Sequence, residues 1–132
     1  MDYKIIHHTQ IWEDHIAHYF MESHGNGLVR LSMYNDGYSE LSDLYVLEDS
    51  RGNGIATALV NDAIQCFKQS ETNSKELKAL LSEDNPDRDF ISEFYKKLGF
   101  EHKGIEAPLN TYDEDKHQLK WYDVFVIKKP RD

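Results

Sequence analysis

The chain is poor in basic residues. Fifteen Lys and Arg stand against 24 Asp and Glu, a net charge of −9. Nucleic acid and anionic membrane surfaces repel such a balance, so neither is an expected partner. The surplus suits solubility and mildly favours a cationic substrate. Cysteine is nearly absent: Cys66 stands alone, which rules out an internal disulfide and makes a reducing cytoplasm the expected compartment. No apolar run approaches the roughly 18 residues of a membrane span. The start, Met1-Asp2-Tyr3-Lys4, lacks the basic and apolar regions of a secretory leader. Five histidines crowd the N-terminal part (His7, His8, His15, His18, His24), yet no cysteine or carboxylate–histidine spacing joins them, and no metal is expected.

Hydrophobic residues make up 39% and aromatics 12% of the 132 positions. Those fractions fit a globular chain, and the length fits one domain, residues 1–132. Tyr3–His8 reads as a strand. Ile11, Ile16, Tyr19 and Phe20 recur at helical spacing, which predicts a helix over about Gln10 to Ser23. Leu28 to Tyr34 and Tyr38 to Leu47 read as strands joined at Asn35-Asp36-Gly37, a hairpin. From Gly54 to about Gln69, Ile55, Leu59, Ala63 and Phe67 mark one face of an amphipathic helix. Glu76 to Leu81 reads as a short strand or a helical turn. Asn85-Pro86 looks like a helix cap followed by proline. Phe90, Ile91, Phe94, Tyr95 and Leu98 then form an apolar face that Gly99 terminates. Two further strands, about Glu101 to Ala107 and Trp121 to Lys128, flank the polar segment Asn110 to His117. This order predicts an α+β, layered fold: a mixed, mostly antiparallel central sheet with helices on both faces.

The segment that carries chemistry is Arg51-Gly52-Asn53-Gly54-Ile55-Ala56. A helix start leaves backbone N–H groups without partners and bears a partial positive charge. Here two glycines clear the way for a ligand, Arg51 adds a cation, and the helix that starts at Gly54 has no carboxylate before Asp62. That pattern suits a phosphate or pyrophosphate; the alternative is a plain strand-to-helix turn. A P-loop would need Lys-Ser or Lys-Thr where Ile55-Ala56 stands. A dinucleotide fingerprint would need a glycine at Thr57.

With Leu44-Tyr45-Val46 ahead of that segment and Phe94-Tyr95-Lys96-Lys97-Leu98-Gly99-Phe100 after it, the chain resembles the GNAT superfamily of acetyl-CoA-dependent N-acetyltransferases. The two motifs occur in family order and cover about Tyr38 to Phe100. The resemblance implies that the backbone at Tyr45, Val46 and Leu47 pairs with the pantetheine arm of coenzyme A. It implies that the amides of Arg51, Gly52, Asn53, Gly54, Ile55 and Ala56 hold the pyrophosphate. Tyr95 becomes the general acid, or the donor to the leaving thiolate. Glu40 or Asp43 becomes the base; the two lie on opposite faces of a regular strand, and Glu40 is preferred. Arg88 stands where many members place a coenzyme-contacting Asn. Asn85, one turn earlier, is either such a contact or a helix cap. The N-terminal region has room for fewer helices than many members possess.

The function so implied is transfer of an acetyl group from acetyl-CoA, the co-substrate, to a primary amine of a small molecule or peptide, by direct attack. An alternative is a non-catalytic acyl-CoA-binding or regulatory domain of the same fold, and a third is an interaction domain whose glycine turn binds nothing. A homodimer is one open option for assembly. Cys66 reads as a structural thiol rather than an acyl-carrying nucleophile. Glu83, Asp84, Asp87 and Asp89 read as a solvated, dipole-favourable helix start.

Overall fold

The computed structural model describes residues 4–71, 74–107, 112–114 and 118–130. The elements run β1 (Ile5–Ile11), β2 (His15–Glu22), β3 (Gly27–Tyr34), β4 (Ser39–Val46), a 3-10 turn (Glu48–Ser50), α1 (Ile55–Gln69), β5 (Glu76–Ser82), α2 (Arg88–Lys97), β6 (Glu101–Glu106), β7 (Tyr112–Asp113), β8 (Gln118–Leu119) and β9 (Tyr122–Lys128). Together they make a mixed sheet of seven strands with two α-helices, plus the short β7–β8 ribbon. The chain divides into two compact units, residues 1–77 with 128–132, and residues 78–127.

In the first unit, β1 to β4 pair successively and antiparallel. The helix expected over Gln10 to Ser23 does not form. In its place β1 and β2 make a hairpin, with Ile11 opposite Ile16 and Ile5 opposite Glu22. The turn is closed by the Trp12 N–H donating to the His15 carbonyl at 2.8 Å, and the Asn35 N–H reaches the Asp14 carbonyl at 2.9 Å. The physical reason is that this strand is covered on both faces. Ala17 and Phe20 are both buried, and their odd separation puts them on opposite sides. A strand buried on both faces loses its two-residue period, and what remained imitated a helical one. The β-branched and aromatic Ile16, Tyr19 and Phe20 favour the strand.

On β3, Gly27, Val29, Leu31 and Met33 alternate onto the face that α1 covers. A side chain at Gly27 would meet Ile55 Cγ2 at 2.9 Å and Leu59 Cδ1 at 3.0 Å, so glycine there sets how closely the helix approaches. From α1, Ile55, Leu59, Val60, Ala63, Ile64 and Phe67 are buried. Each large aliphatic so buried stabilises the unit by about 1.5–3 kcal/mol. The β2–β3 turn is held by Glu22, which accepts from the His24 N–H and from Asn26 Nδ2, each at 2.7 Å. Those bonds, led by the backbone one, hold its carboxyl below the usual 4.5. The chain end rejoins this unit: the Lys129 N–H donates to the Lys75 carbonyl at 2.9 Å, and Lys129 Nζ lies 5.1 Å from the Phe67 ring centre.

In the second unit, β6 pairs antiparallel with β9. The apolar face expected on α2 is only partly realised. Tyr95 is buried, but Phe90, assigned to that face, is 76% exposed. Tyr95 packs against Phe100 and Phe125, each at 5.3 Å between ring centres, so Phe100 folds back onto α2 after Gly99. The strand reading of Glu76 to Leu81 holds, and the helical turn does not. The segment Asn110 to His117 lies largely outside the described residues.

Candidate active site

β4 delivers the chain to the glycine turn, and its regularity breaks on the way. Ser42 pairs with Arg30 but Tyr45 pairs with Leu28, so β4 carries one extra residue there. Asp43 sits at the break with φ +58, the sole non-glycine with positive φ among the described residues. Such a bulge kinks a strand and re-aims the side chains beyond it. Its effect is that Glu40, Ser42 and Tyr45 share one face, opposite Ser32, Arg30 and Leu28 respectively. Asp43 is exposed, which favours Glu40 of the two candidate bases.

Glu40 ends a cross-strand row of small residues, Ala17 opposite Ser32 and Ser32 opposite Glu40. This row lies on the face away from α1. His15 with Tyr34 and Tyr19 with Arg30 border it. The Arg30 guanidinium lies 5.5 Å from the Tyr19 ring centre and 3.2 Å from His15 Nε2, while its buried Nε has no partner. Burial, reinforced by the Asp43 charge, raises Glu40 above the usual 4.5; a hydrogen bond from Tyr38 and the Arg30 charge oppose it. A half-buried carboxylate so poised can take a proton from an amine.

Past Val46, Leu47 still pairs, its N–H donating to the Asn26 carbonyl at 2.9 Å. The 3-10 turn Glu48–Ser50, not foreseen from the sequence, then bends the chain into Arg51–Gly54. Gly52 and Gly54 adopt φ +81 and +82, left-handed values that cost an L side chain roughly 1–2 kcal/mol. Gly54 is the N-cap of α1, without any side-chain cap and with no acid in the first turn. The first helical bond runs from the Ala58 N–H to the Gly54 carbonyl at 3.0 Å. Helix geometry therefore leaves the amides of Ile55, Ala56 and Thr57 directed out of the N-terminus. Arg51 donates from Nε to the Val46 carbonyl at 3.2 Å, and Asn53 Nδ2 to the Ser50 carbonyl at 3.3 Å. Tyr45, Leu47 and residues 51 to 54 are exposed, and Ile55 is buried beneath them. Thus the sequence-predicted set from Tyr45 to Ala56 forms one continuous strand–turn–helix surface.

The remaining predicted residues lie in the second unit. Tyr95 is 5% exposed, and burial pushes its phenol up to about 12. Asn85 is not the cap of α2, which begins at Arg88 with Asp87 as N-cap. Instead Asn85 Oδ1 accepts from the Asp87 N–H at 2.8 Å, and its carbonyl accepts from the Arg88 N–H at 3.1 Å. Those two bonds make Asn85 part of the turn that leads into the helix. Sequence reasoning missed Asp123, which is buried between Arg88 and His102 and accepts from Arg88 Nε and, at 2.9 Å, from His102 Nε2. Those partners, Arg88 first, hold Asp123 below the usual 3.8. The residue in the place of the family Asn thus anchors α2 to β9. Only the departure at Arg88 signalled it.

The family model for the acetyltransferase (GNAT) domain matches residues 11–102. The chain belongs to the GNAT family. An uncharacterised N-acetyltransferase of Methanocaldococcus jannaschii is 37% identical over 67 residues, 51% of this chain and 27% of that protein. The chain thus matches about a quarter of that relative's length. Among solved structures, nourseothricin acetyltransferase superposes with a TM-score of 0.64 at 19% identity, over 92% of this chain and 71% of the other. The ribosomal-protein-S18-alanine N-acetyltransferase of Escherichia coli gives 0.65 at 15%, over 92% and 74%. A Bacillus anthracis protein assigned as a streptothricin acetyltransferase, solved with acetyl coenzyme A, gives 0.65 at 18%, over 89% and 64%. At these identities the structures establish the GNAT fold. Among the described residues, no helix is long and apolar enough to cross a membrane.

Proposed function

We propose that this GNAT chain, 1–132 as one domain, is an N-acetyltransferase that moves an acetyl group from acetyl-CoA directly to a primary amine of a small molecule or peptide. The observation that carries the reading is the start of α1: two glycines with positive φ, outward amides, no side-chain cap and no carboxylate. Ligand oxygens of a pyrophosphate would complete what a capping side chain ordinarily supplies. The acetyl coenzyme A bound by a protein of this fold supports the choice of coenzyme. Tyr45, Val46 and Leu47 would lie along the pantetheine arm.

The chemistry then runs in three demands. An alkylamine with pKa near 10.4 must lose a proton before it attacks, and Glu40, raised by burial, is the acceptor we assign. The neutral amine adds to the thioester carbonyl, its nitrogen gives up a second proton that passes through solvent to the leaving sulfur, and the C–S bond breaks as the amide forms. The leaving thiolate takes a hydrogen bond from a phenol, and Tyr95 is our assignment. Full proton transfer from a phenol at about 12 to a thiol near 8.5 is uphill by roughly 5 kcal/mol. Tyr95 therefore acts by a hydrogen bond that strengthens as charge develops.

Thiol release from acetyl-CoA over a panel of amines and peptides tests the reading. We expect turnover with at least one cationic amine, in keeping with the acidic chain. Failure of coenzyme A to bind or stabilise the protein at millimolar concentration would sink it. The burial of Tyr95 favours one competitor, a coenzyme A-binding domain without turnover, which predicts binding that is indifferent to Tyr95→Phe.

A further inference from the structure

The β1–β2 hairpin that replaced the expected helix brings together residues far apart in any helical reading. Thr9 lies opposite His18, and His7 opposite Phe20, so His7, Thr9 and His18 share one face. His7 Nε2 and His18 Nδ1 are 2.8 Å apart. Thr9 Oγ1 lies 3.3 Å from His18 Nδ1 and 3.5 Å from His7 Nε2. The His7 ring is fixed from one side by Phe20, stacked at 4.3 Å between ring centres. Cys66, on α1, completes the group: one ring nitrogen of each histidine and the sulfur all lie within 4.8 Å of one another.

We propose that His7, His18 and Cys66 form a binding site for a divalent ion of the zinc class, independent of the acetyl-transfer reading. Two imidazoles and a thiolate make a donor set that suits zinc and its late first-row neighbours, and not the oxygen-seeking magnesium or calcium. The three donors come from three elements and lie within 4.8 Å of one another; the 2.8 Å contact between the histidines is a hydrogen bond that an ion would replace. A tetrahedral ion with bonds of about 2.0–2.3 Å sets neighbouring donors about 3.3–3.6 Å apart. The nitrogens need to separate by about half an ångström and the sulfur to close in, which side-chain rotation supplies at the exposed His7. Three protein donors leave a fourth position for water.

An incoming ion displaces the Cys66 thiol proton, forms the sulfur–metal bond and releases one H⁺ to solvent. The bound ion ties the edge strand β1 and its neighbour β2 to α1.

The experiment uses tag-free full-length protein stripped with chelator and titrated with Co²⁺, then with Zn²⁺. We expect a thiolate-to-cobalt charge-transfer band that saturates at one equivalent and is abolished by Zn²⁺, with a rise in melting temperature. Cys66→Ser removes the band. His18→Gln and His7→Gln each weaken Zn²⁺ affinity at least about tenfold, one decade of Kd. His8→Gln and His24→Gln change neither. Circular dichroism of each metal-free variant checks folding; because His7 is exposed, His7→Gln keeps the test decisive should another variant misfold. Absence of the band at excess Co²⁺, or a Zn²⁺ affinity that His7→Gln and Cys66→Ser leave unchanged, overturns the site.

Discussion

Glu40 and Tyr95, the base and the hydrogen-bond donor we propose, are both raised by burial. For Glu40, ionised above its ordinary 4.5 only at a cost, the sign is clear. The unfolded chain ionises first, so the carboxylate subtracts stability at neutral pH. Glu40→Gln should therefore reduce kcat/KM about 100-fold without lowering the melting temperature, and the acid limb of the wild-type rate profile should lie above 4.5. For Tyr95, the unfolded phenol ionises near the ordinary 10 and the folded one near 12. Stability tied to the neutral phenol is full below 10 and falls across 10 to 12. Tyr95→Phe should flatten that fall in urea midpoints taken against pH, and reduce kcat about 100-fold with little change in the affinity for coenzyme A. Glu40 was legible as a candidate because β4 was; that Asp43 is displaced from it by a bulge was not. A single residue with φ +58 leaves no mark on hydrophobic alternation.

At the scale of elements, the glycine turn and α1 stand as read, because their cues are local: apolar positions on one face, two glycines, no early acid. Gly54 allows the turn's two roles to be separated. Gly54→Ala meets nothing within 4 Å, so its cost is the left-handed backbone alone, about 1–2 kcal/mol. Gly54→Asp suits that backbone better, since Asp tolerates it, and it can cap the helix. Yet it sets a carboxylate where we propose that the pyrophosphate binds. Coenzyme A affinity should fall by at least about tenfold, one decade of Kd, in the aspartate variant while its unfolding midpoint stays at or above that of the alanine variant. Calorimetry and thermal melts on the pair check this. The β1–β2 hairpin was illegible for the converse reason. Its identity rests on pairing between positions as far as thirteen apart, such as His7 and Phe20, and on α1 covering one face, neither of which a window of neighbouring residues contains.

Across the whole molecule, acid sensitivity is distributed over both compact units. Glu22 in the first and Asp123 in the second are nearly buried at 3% and 5%, and both are held below their usual values. A depressed carboxyl contributes stability that is full above its unfolded value and lost as pH falls through its folded one. The protein should hold a plateau at neutral pH and lose stability below the ordinary 4.5 and 3.8 of these groups. Asp123→Asn should cost roughly 1–3 kcal/mol at pH 7 and markedly less near pH 3, as denaturant titrations at the two values will show. The fold class and family were readable because two motifs and the element order survive a wrong N-terminal element.

The bare N-terminus of α1 has a dynamic consequence. A helix whose first turn lacks its side-chain cap is the part of that helix most prone to open. A ligand that binds those amides supplies the missing partners, so binding and the last step of helix formation become one event. Hydrogen exchange at Ile55, Ala56 and Thr57 should slow by at least about tenfold when coenzyme A binds, a linkage of about 1.4 kcal/mol, while amides at Ala63 and Ile64 change little. The same measurement gives the coenzyme affinity of the turn without any acceptor amine.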